Sequence, residues 1–385
     1  MQSQASQKNQ SQSHVVQANN YPSWAPRFWH GMRTLCWWRL LARNGFRVTP
    51  ARWHVALGVS IFTPINDLLA ATQWLFYNRQ IERTEIKHPP IFILGHWRTG
   101  TTLLHELLTT DPEFASPNTF QCFAPSHFLL SEYLMVRFGN FLIPKKRPMD
   151  EMQAGWQLPQ EDEFALMNLG VPTPYLRIAF PRTQPQALDY LDMQGLSPAE
   201  EARWKKSLLW FMRALTLHYQ GQRLVLKSPP HTGRVKQLLE LFPDAKFIHL
   251  TRDPRKLFTS TMKLWRSLDE VQGLQPTPEE PELKEYVTEC MRRMYSGFEQ
   301  ACGDLPTNQF VHIQYEELVA NPMATVSQLF EQLELGDFNQ VRPELEKRLV
   351  DHTTYRPNRH EIDAELEQEI LARWPDYAAK YSHPQ

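Results

Sequence analysis

At 385 residues the chain can hold one large α/β domain with a smaller appendage, or two modest domains. Its apolar share of 42% and charged share of 22% are those of a soluble globular protein, and a formal net charge of −1 argues against a dedicated nucleic-acid binder. Cys36, Cys122, Cys290 and Cys302 are widely separated and form no CxxC pair and no zinc-spaced run; four scattered cysteines suit a reducing, cytoplasmic compartment, and free thiols are expected rather than a disulfide framework.

Residues 1–20 are mostly Gln, Ser and Asn without an apolar core, and they read as a disordered tail rather than a signal peptide. Residues 21–88 read as an N-terminal helical extension. Arg27, Arg33, Arg39, Arg43, Arg47 and Arg52 alternate there with Trp24, Trp29, Trp37, Trp38, Trp53 and Trp74, and Asp67 is the first acidic residue of the chain. The apolar stretch from Val55 to Tyr77 is long enough to suggest a membrane span, but Pro64, Asn66, Asp67 and Gln73 interrupt it. Thr49-Pro50 and Thr63-Pro64 each have the form of an N-cap followed by proline at the first helical position. The expectation is a helix from about Pro50, a break, and a second helix from Pro64 to about Ile81. Arginines on the wet face of a packed appendage are the simpler reading; a peripheral contact with membrane headgroups or a partner is the alternative.

From residue 89 onward the pattern changes to strands alternating with helices. Short buried strands are expected at Ile91–Leu94, Leu224–Leu226, Lys246–Leu250 and Phe310–Ile313. An amphipathic helix carrying Leu103, Leu104, Leu107 and Leu108 follows the first strand, and Ser197 with Glu200 forms a capping box for a helix from Pro198. This alternation predicts an α/β three-layer sandwich with a mostly parallel sheet. The Pro- and Glu-rich stretch from Leu268 to Lys284 lacks periodicity and reads as a mobile loop over a site.

Two segments carry chemistry. Gly95-His96-Trp97-Arg98-Thr99-Gly100-Thr101-Thr102 lies between a strand and a helix N-terminus, where backbone N–H groups and the helix dipole favour an anion. Its spacing is close to a Walker A loop, but Thr101 stands where the lysine belongs, which weakens a small-molecule kinase reading. Further on, Arg252 ends a strand, Asp253-Pro254 opens a helix, and Ser260 lies in that helix, so Arg252 and Ser260 can converge on one anion.

Together these motifs resemble the PAPS-dependent sulfotransferase family, in the branch of the bacterial and tyrosylprotein sulfotransferases. Trp97–Thr102 is similar to the family's PRSGTT-type 5'-phosphosulfate loop, and Arg252 with Ser260 to its 3'-phosphate motif. Leu226-Lys227-Ser228-Pro229 is similar to its strand-end lysine segment, and Tyr315-Glu316-Glu317-Leu318-Val319 to its YEQLV-type segment. The resemblance runs roughly from Pro89 to Pro322. It implies a P-loop-like sulfotransferase domain over residues 89–385, with 3'-phosphoadenosine 5'-phosphosulfate (PAPS) as cosubstrate, adenosine 3',5'-bisphosphate as product and no metal. Gly95, Arg98, Thr99, Gly100, Thr101 and Thr102 would hold the 5'-phosphosulfate, Arg252 and Ser260 the 3'-phosphate, and Tyr315 would sit beside the nucleotide.

Sulfuryl transfer follows the logic of phosphoryl transfer, with in-line attack and electrostatic stabilisation, for which Arg98 and Lys227 are the candidates. The general base is open. Where tyrosylprotein sulfotransferases carry a glutamate, this chain has about Asn118 and Thr119, neither of which is a base. Glu161 and Glu163, ahead of Asp162, form an acidic cluster at a helix start; His231 is the other candidate, and His96 ranks lower. Tyr355–Arg359 is a candidate closing loop. The acceptor hydroxyl, on a small molecule, carbohydrate, lipid or peptide, is left open, and the alternative from another class is a membrane- or partner-binding protein with a vestigial nucleotide site.

Overall fold

The fold was analysed in a computed structural model, which describes residues 21–22, 25–143, 153–303, 305–352 and 362–382. The proposed tail at 1–20 and the candidate loop at 355–359 lie outside the described residues.

Helices α1 (Thr34–Arg43) and α2 (Trp53–Arg83) precede strand β1 (Ile91–Leu94) and helix α3 (Thr101–Leu108). Strand β2 (Phe114–Ala115), helices α4 (Thr119–Phe123), α5 (Phe128–Phe138), α6 (Asp162–Asn168) and α7 (Pro198–His218) lead to β3 (Arg223–Lys227). Helix α8 (Val235–Leu241), β4 (Lys246–Thr251), α9 (Pro254–Gln272), α10 (Glu280–Cys302) and β5 (Phe310–Gln314) complete the sheet. Helices α11 (Tyr315–Ala320), α12 (Pro322–Gln332), α13 (Phe338–His352), α14 (Ala364–Arg373) and α15 (Pro375–Tyr381) close the chain.

The five strands pair in the order β2-β3-β1-β4-β5, and every pairing is parallel. A parallel sheet needs both faces covered, because its crossover helices pack there. Alternate residues accordingly go to two separate cores. Phe92 and Leu94 of β1, with Leu224, Leu226 and Phe247, face the larger core. Ile91 and Ile93, with Val225, Ile248 and Val311, face a smaller core made with α3 and α12. The four strands expected from sequence are present, and the three-layer arrangement with them; the two-residue β2 had no sequence signal. Ser197 and Glu200 form the expected capping box, and the four cysteines are unpaired.

Two expectations fail. Residues 53–83 form one helix with Pro64 inside it, rather than two helices with a break. Proline removes a donor and normally breaks a helix interior at a cost of about 3 kcal/mol. Here the Ser60 carbonyl, which the missing N–H would have served, receives the Thr63 hydroxyl at 3.4 Å. Two polar residues of the same stretch bond to neighbouring segments. Asn66 donates to the carbonyls of His30 (2.6 Å) and Met32 (2.9 Å), and Gln73 accepts from the Leu129 N–H (2.9 Å). The expected mobile loop at 268–284 is also absent: it is split between α9 and α10, and its middle is tied down. Leu274 donates to the Ala179 carbonyl and accepts from the Thr49 N–H, and the Gln275 amide donates to the Arg47 carbonyl.

The extension shares the larger core, with Trp29 and Trp37 fully buried. Trp29 Nε1 donates to the Gln272 carbonyl at 2.8 Å. Arg33, Arg39, Arg43 and Arg47 are exposed as expected, but Arg27 is buried, donating to the Pro22 and Ala25 carbonyls with its guanidinium over the Tyr21 ring.

Candidate active site

The loop from Gly95 to Gly100 leaves β1 and turns directly into α3. Gly100 has a φ of 95°, and a Cβ there would stand 2.4 Å from the Tyr315 ring. Glycine is therefore required by both backbone conformation and space. Gly95, with φ of 139°, lies against the Leu250 carbonyl, and its N–H donates to the Thr232 hydroxyl at 2.8 Å. Arg98 takes the left-handed conformation with φ of 73°, which is uncommon for a residue with a side chain. Its Nε donates to the Ser260 hydroxyl at 3.0 Å. Arg252, at the end of β4, donates from Nη1 to the Arg98 carbonyl at 3.0 Å and stacks 4.4 Å over the Tyr315 ring. Arg98, Gly100, Arg252, Ser260 and Tyr315, spread over more than half of the chain, thus meet in one place.

The other loop residues divide in two. Thr101 and Thr102 line the pocket in the first turn of α3. Thr99 is buried and faces inward; its hydroxyl donates to the His96 carbonyl at 2.8 Å and shapes the loop. His96 is also buried, and burial pushes it down to about 3, so its ring is neutral. The helix start at Asp253-Pro254 is as expected, with the Asp253 carboxylate accepting from the Arg255 and Lys256 N–H groups. Tyr377 of α15 brackets the Arg252 backbone, accepting its N–H and donating to its carbonyl, and the sequence reading did not foresee that latch.

A single pocket runs from this cradle into an apolar chamber. Arg98, Thr102, Arg252 and Tyr315 give it polar walls, and Phe28, Phe123, Ile143, Trp156, Leu264 and Leu268 give it apolar ones. Glu161 lines the same pocket. Its Oε1 accepts from Lys227 Nζ at 2.7 Å and its Oε2 from the Tyr175 hydroxyl. Lys227, almost fully buried, also reaches the Thr102 hydroxyl at 3.4 Å. Burial, and then the Glu161 charge, hold the Tyr175 phenol well above its ordinary value, so it remains a donor. Trp97 of the loop donates from Nε1 to the Tyr175 oxygen at 2.8 Å, which couples the cradle to the carboxylate.

The remaining candidate bases are turned away from the pocket. Glu163 is buried in a two-pronged pair with Arg234 (2.6 and 2.9 Å) and accepts the Thr173 hydroxyl. His231 is fully buried, with Nε2 2.6 Å from Asp162, whose other oxygen accepts from Ser228 at 2.8 Å. Burial works to raise the Asp162 pKa, but His231 and Ser228 outweigh it and hold the carboxyl below its ordinary range. Glu163 and His231 are taken up in these buried networks, and of the acidic cluster Glu161 alone lines the pocket among the described residues.

At the positions where the family match fails, Asn118 caps α4 and forms an antiparallel bridge with Pro159, and the Thr119 N–H donates to the Leu158 carbonyl. That pairing sets the start of α4 beside the segment that leads into Glu161.

A model of the sulfotransferase family matches residues 89–340. Two relatives, from Mycobacterium bovis and Mycobacterium tuberculosis, are each named omega-hydroxy-beta-dihydromenaquinone-9 sulfotransferase Stf3. Both are 37% identical over 365 residues, spanning 95% of this chain and 93% of theirs. Among solved structures, sulfotransferase STF1 from Mycobacterium tuberculosis aligns with a TM-score of 0.60 at 18% identity, over 89% of this chain and 90% of that one. Sulfotransferase STF9 from Mycobacterium avium gives 0.59 at 20% identity, over 92% and 97%. At those identities the two structures speak for a shared fold.

Proposed function

This chain belongs to the sulfotransferase family, and from that premise we propose that it takes its sulfuryl group from PAPS and delivers it to the hydroxyl of a long, apolar, lipid-like alcohol. The observation that carries this reading is the one pocket whose lining holds Arg98, Arg252 and Tyr315 of the cradle, Glu161 with Lys227 bonded to it, and a set of apolar side chains.

The residues of the cradle fit the nucleotide. The Gly95–Gly100 loop and the α3 N-terminus offer N–H donors to the 5' end, and Arg252 with Ser260 offers a fork and a hydroxyl to a 3'-phosphate. The Tyr315 ring, stacked on Arg252, gives a base-sized flat surface. Bound there, PAPS supplies the sulfuryl group. Glu161 takes the proton of the acceptor hydroxyl as that oxygen attacks. Lys227 and Arg98 stand against the negative charge that grows on the departing oxygen. Tyr175 and Lys227 hold the Glu161 carboxylate in place from its two oxygens.

The chamber walls set the acceptor class. Phe28, Phe123, Trp156 and Leu264 offer apolar contact to an alkyl or prenyl chain. The Stf3 relatives carry a name that specifies a hydroxylated dihydromenaquinone, an apolar molecule with a hydroxyl. Incubation with radiolabelled PAPS and matched acceptors tests the reading: a long-chain prenyl or alkyl alcohol, a free sugar and a tyrosine peptide. Label on the long alcohol, lost together with binding of adenosine 3',5'-bisphosphate in Arg252→Ala, is the expected result. Label only on the sugar or the peptide overturns the acceptor class. Undiminished bisphosphate binding in Arg252→Ala overturns the cradle assignment.

A further inference from the structure

Helix α2 has two faces that do opposite things. Its inner face is fastened to the domain by buried Val55, Val59 and Ile81 and by the hydrogen bonds of Asn66, Gln73 and Ser60. An outward stripe of Leu57, Ile61, Ile65, Leu68 and Leu75 follows helical spacing; Leu57, Leu68 and Leu75 are 65%, 69% and 70% exposed. From Trp53 to Tyr77 the only charged side chain is Asp67, and it is paired with Arg33 at 2.8 Å. At about 1.5 Å per residue such a helix carries this stripe over roughly 27 Å. Scattered exposed leucines are ordinary, but an apolar ridge of this length marks a contact.

We propose that this ridge lies flat in one leaflet of a lipid bilayer and docks the enzyme there as a peripheral, monotopic protein. Helix α2 is apolar and long enough to cross a membrane by composition. However, a span would expose Asn66 and Gln73 to hydrocarbon and break the bonds that fix the inner face, so the helix lies in the interface with only its outer face immersed.

The surroundings of the ridge suit a bilayer rather than a second copy of the chain. Residues 25–66 contain six arginines and no acidic residue, and Arg39, Arg43 and Arg47 are exposed on and just after α1, which packs beside α2. That basic rim complements anionic headgroups, whereas two copies face to face would bring the arginines together. Trp38, Trp53 and Trp74 are all exposed on these two helices, and tryptophan favours the boundary between hydrocarbon and water. Helix α5, packed on α2, exposes Leu134 and Phe138, and soon after it Leu142 and Ile143 line the pocket. Apolar surface therefore continues from the docking face toward the site.

Flotation of the full chain with vesicles of phosphatidylcholine, with and without phosphatidylglycerol, tests the proposal. The wild type should float with both and more strongly with the anionic lipid. Leu57→Glu/Leu68→Glu/Leu75→Glu should lower partitioning by about a hundredfold at an unchanged melting temperature, since all three side chains sit in solvent. As a second variant, Arg39→Gln/Arg43→Gln/Arg47→Gln should lower it by about tenfold or more on anionic vesicles alone. A wild type that stays in the load with both vesicles overturns the proposal, as does a leucine variant that floats like wild type. A wild-type dimer in sedimentation equilibrium that this variant converts to monomer, with no flotation, overturns it in favour of a second copy.

Discussion

At the cradle, nearly every working residue lies at or near the point where a strand gives way to the next segment: Gly95–Thr102 after β1, Lys227 at the end of β3, Arg252 after β4 with Ser260 in the helix that follows, and Tyr315 after β5. At the chamber end, the walls come from unrelated places. Phe28 arrives from the N-terminal extension, Phe123 from α4, Trp156 from a loop, and Leu264 and Leu268 from α9. A parallel sheet forces its strand ends to one edge, so four short junctions suffice to build a rigid anion site. The chamber has no such organiser and depends on how separate layers pack. Glu161 belongs to both ends: it is delivered by the chamber's segment but held by the cradle's Lys227.

That contrast has measurable edges. Glu161→Gln keeps the side-chain volume and removes the base, so kcat should fall by about 10²–10⁴-fold while affinity for adenosine 3',5'-bisphosphate is retained. A kcat unchanged in steady-state assays would move the proton acceptor elsewhere and erase the boundary drawn here. Glu163→Gln leaves Arg234 buried without its counter-charge. It should cost roughly 3–5 kcal/mol of stability by denaturant titration, with kcat retained below the transition. A stable variant with a large kcat loss would return Glu163 to the reaction. Phe28→Ala should lower kcat/KM for a long-chain alcohol by about tenfold and leave a short alcohol little affected. Equal losses for both acceptors would show that the extension acts on packing alone.

Much of the cradle was legible because its signals are local. Apolar β-branched runs, a glycine pair and the Arg252–Ser260 spacing sit within a few residues of one another and need no partner to be read. The proposed base was not legible. Glu161, Asp162 and Glu163 are consecutive, and the helix start rotates successive side chains by about 100°. Glu161, at the N-cap, faces the pocket; Asp162 turns to His231 and Ser228, and Glu163 to Arg234. Tyr175 and Tyr377 carried no signal, because their roles are hydrogen bonds across 14 and 125 residues of chain.

The sequence by itself determined four of the sheet's five strands, its parallel order, the glycine loop and the family, all of which follow from short-range patterns and spacings. Only the tertiary structure decided that α2 runs through Pro64, that the 268–284 segment is fastened, and which of three consecutive acids lines the pocket. Each of those outcomes turns on whether another group satisfies a polar atom that local preference leaves open. Thr63 does so for the Ser60 carbonyl, the Ala179 and Arg47 carbonyls for Leu274 and Gln275, and Lys227 for Glu161.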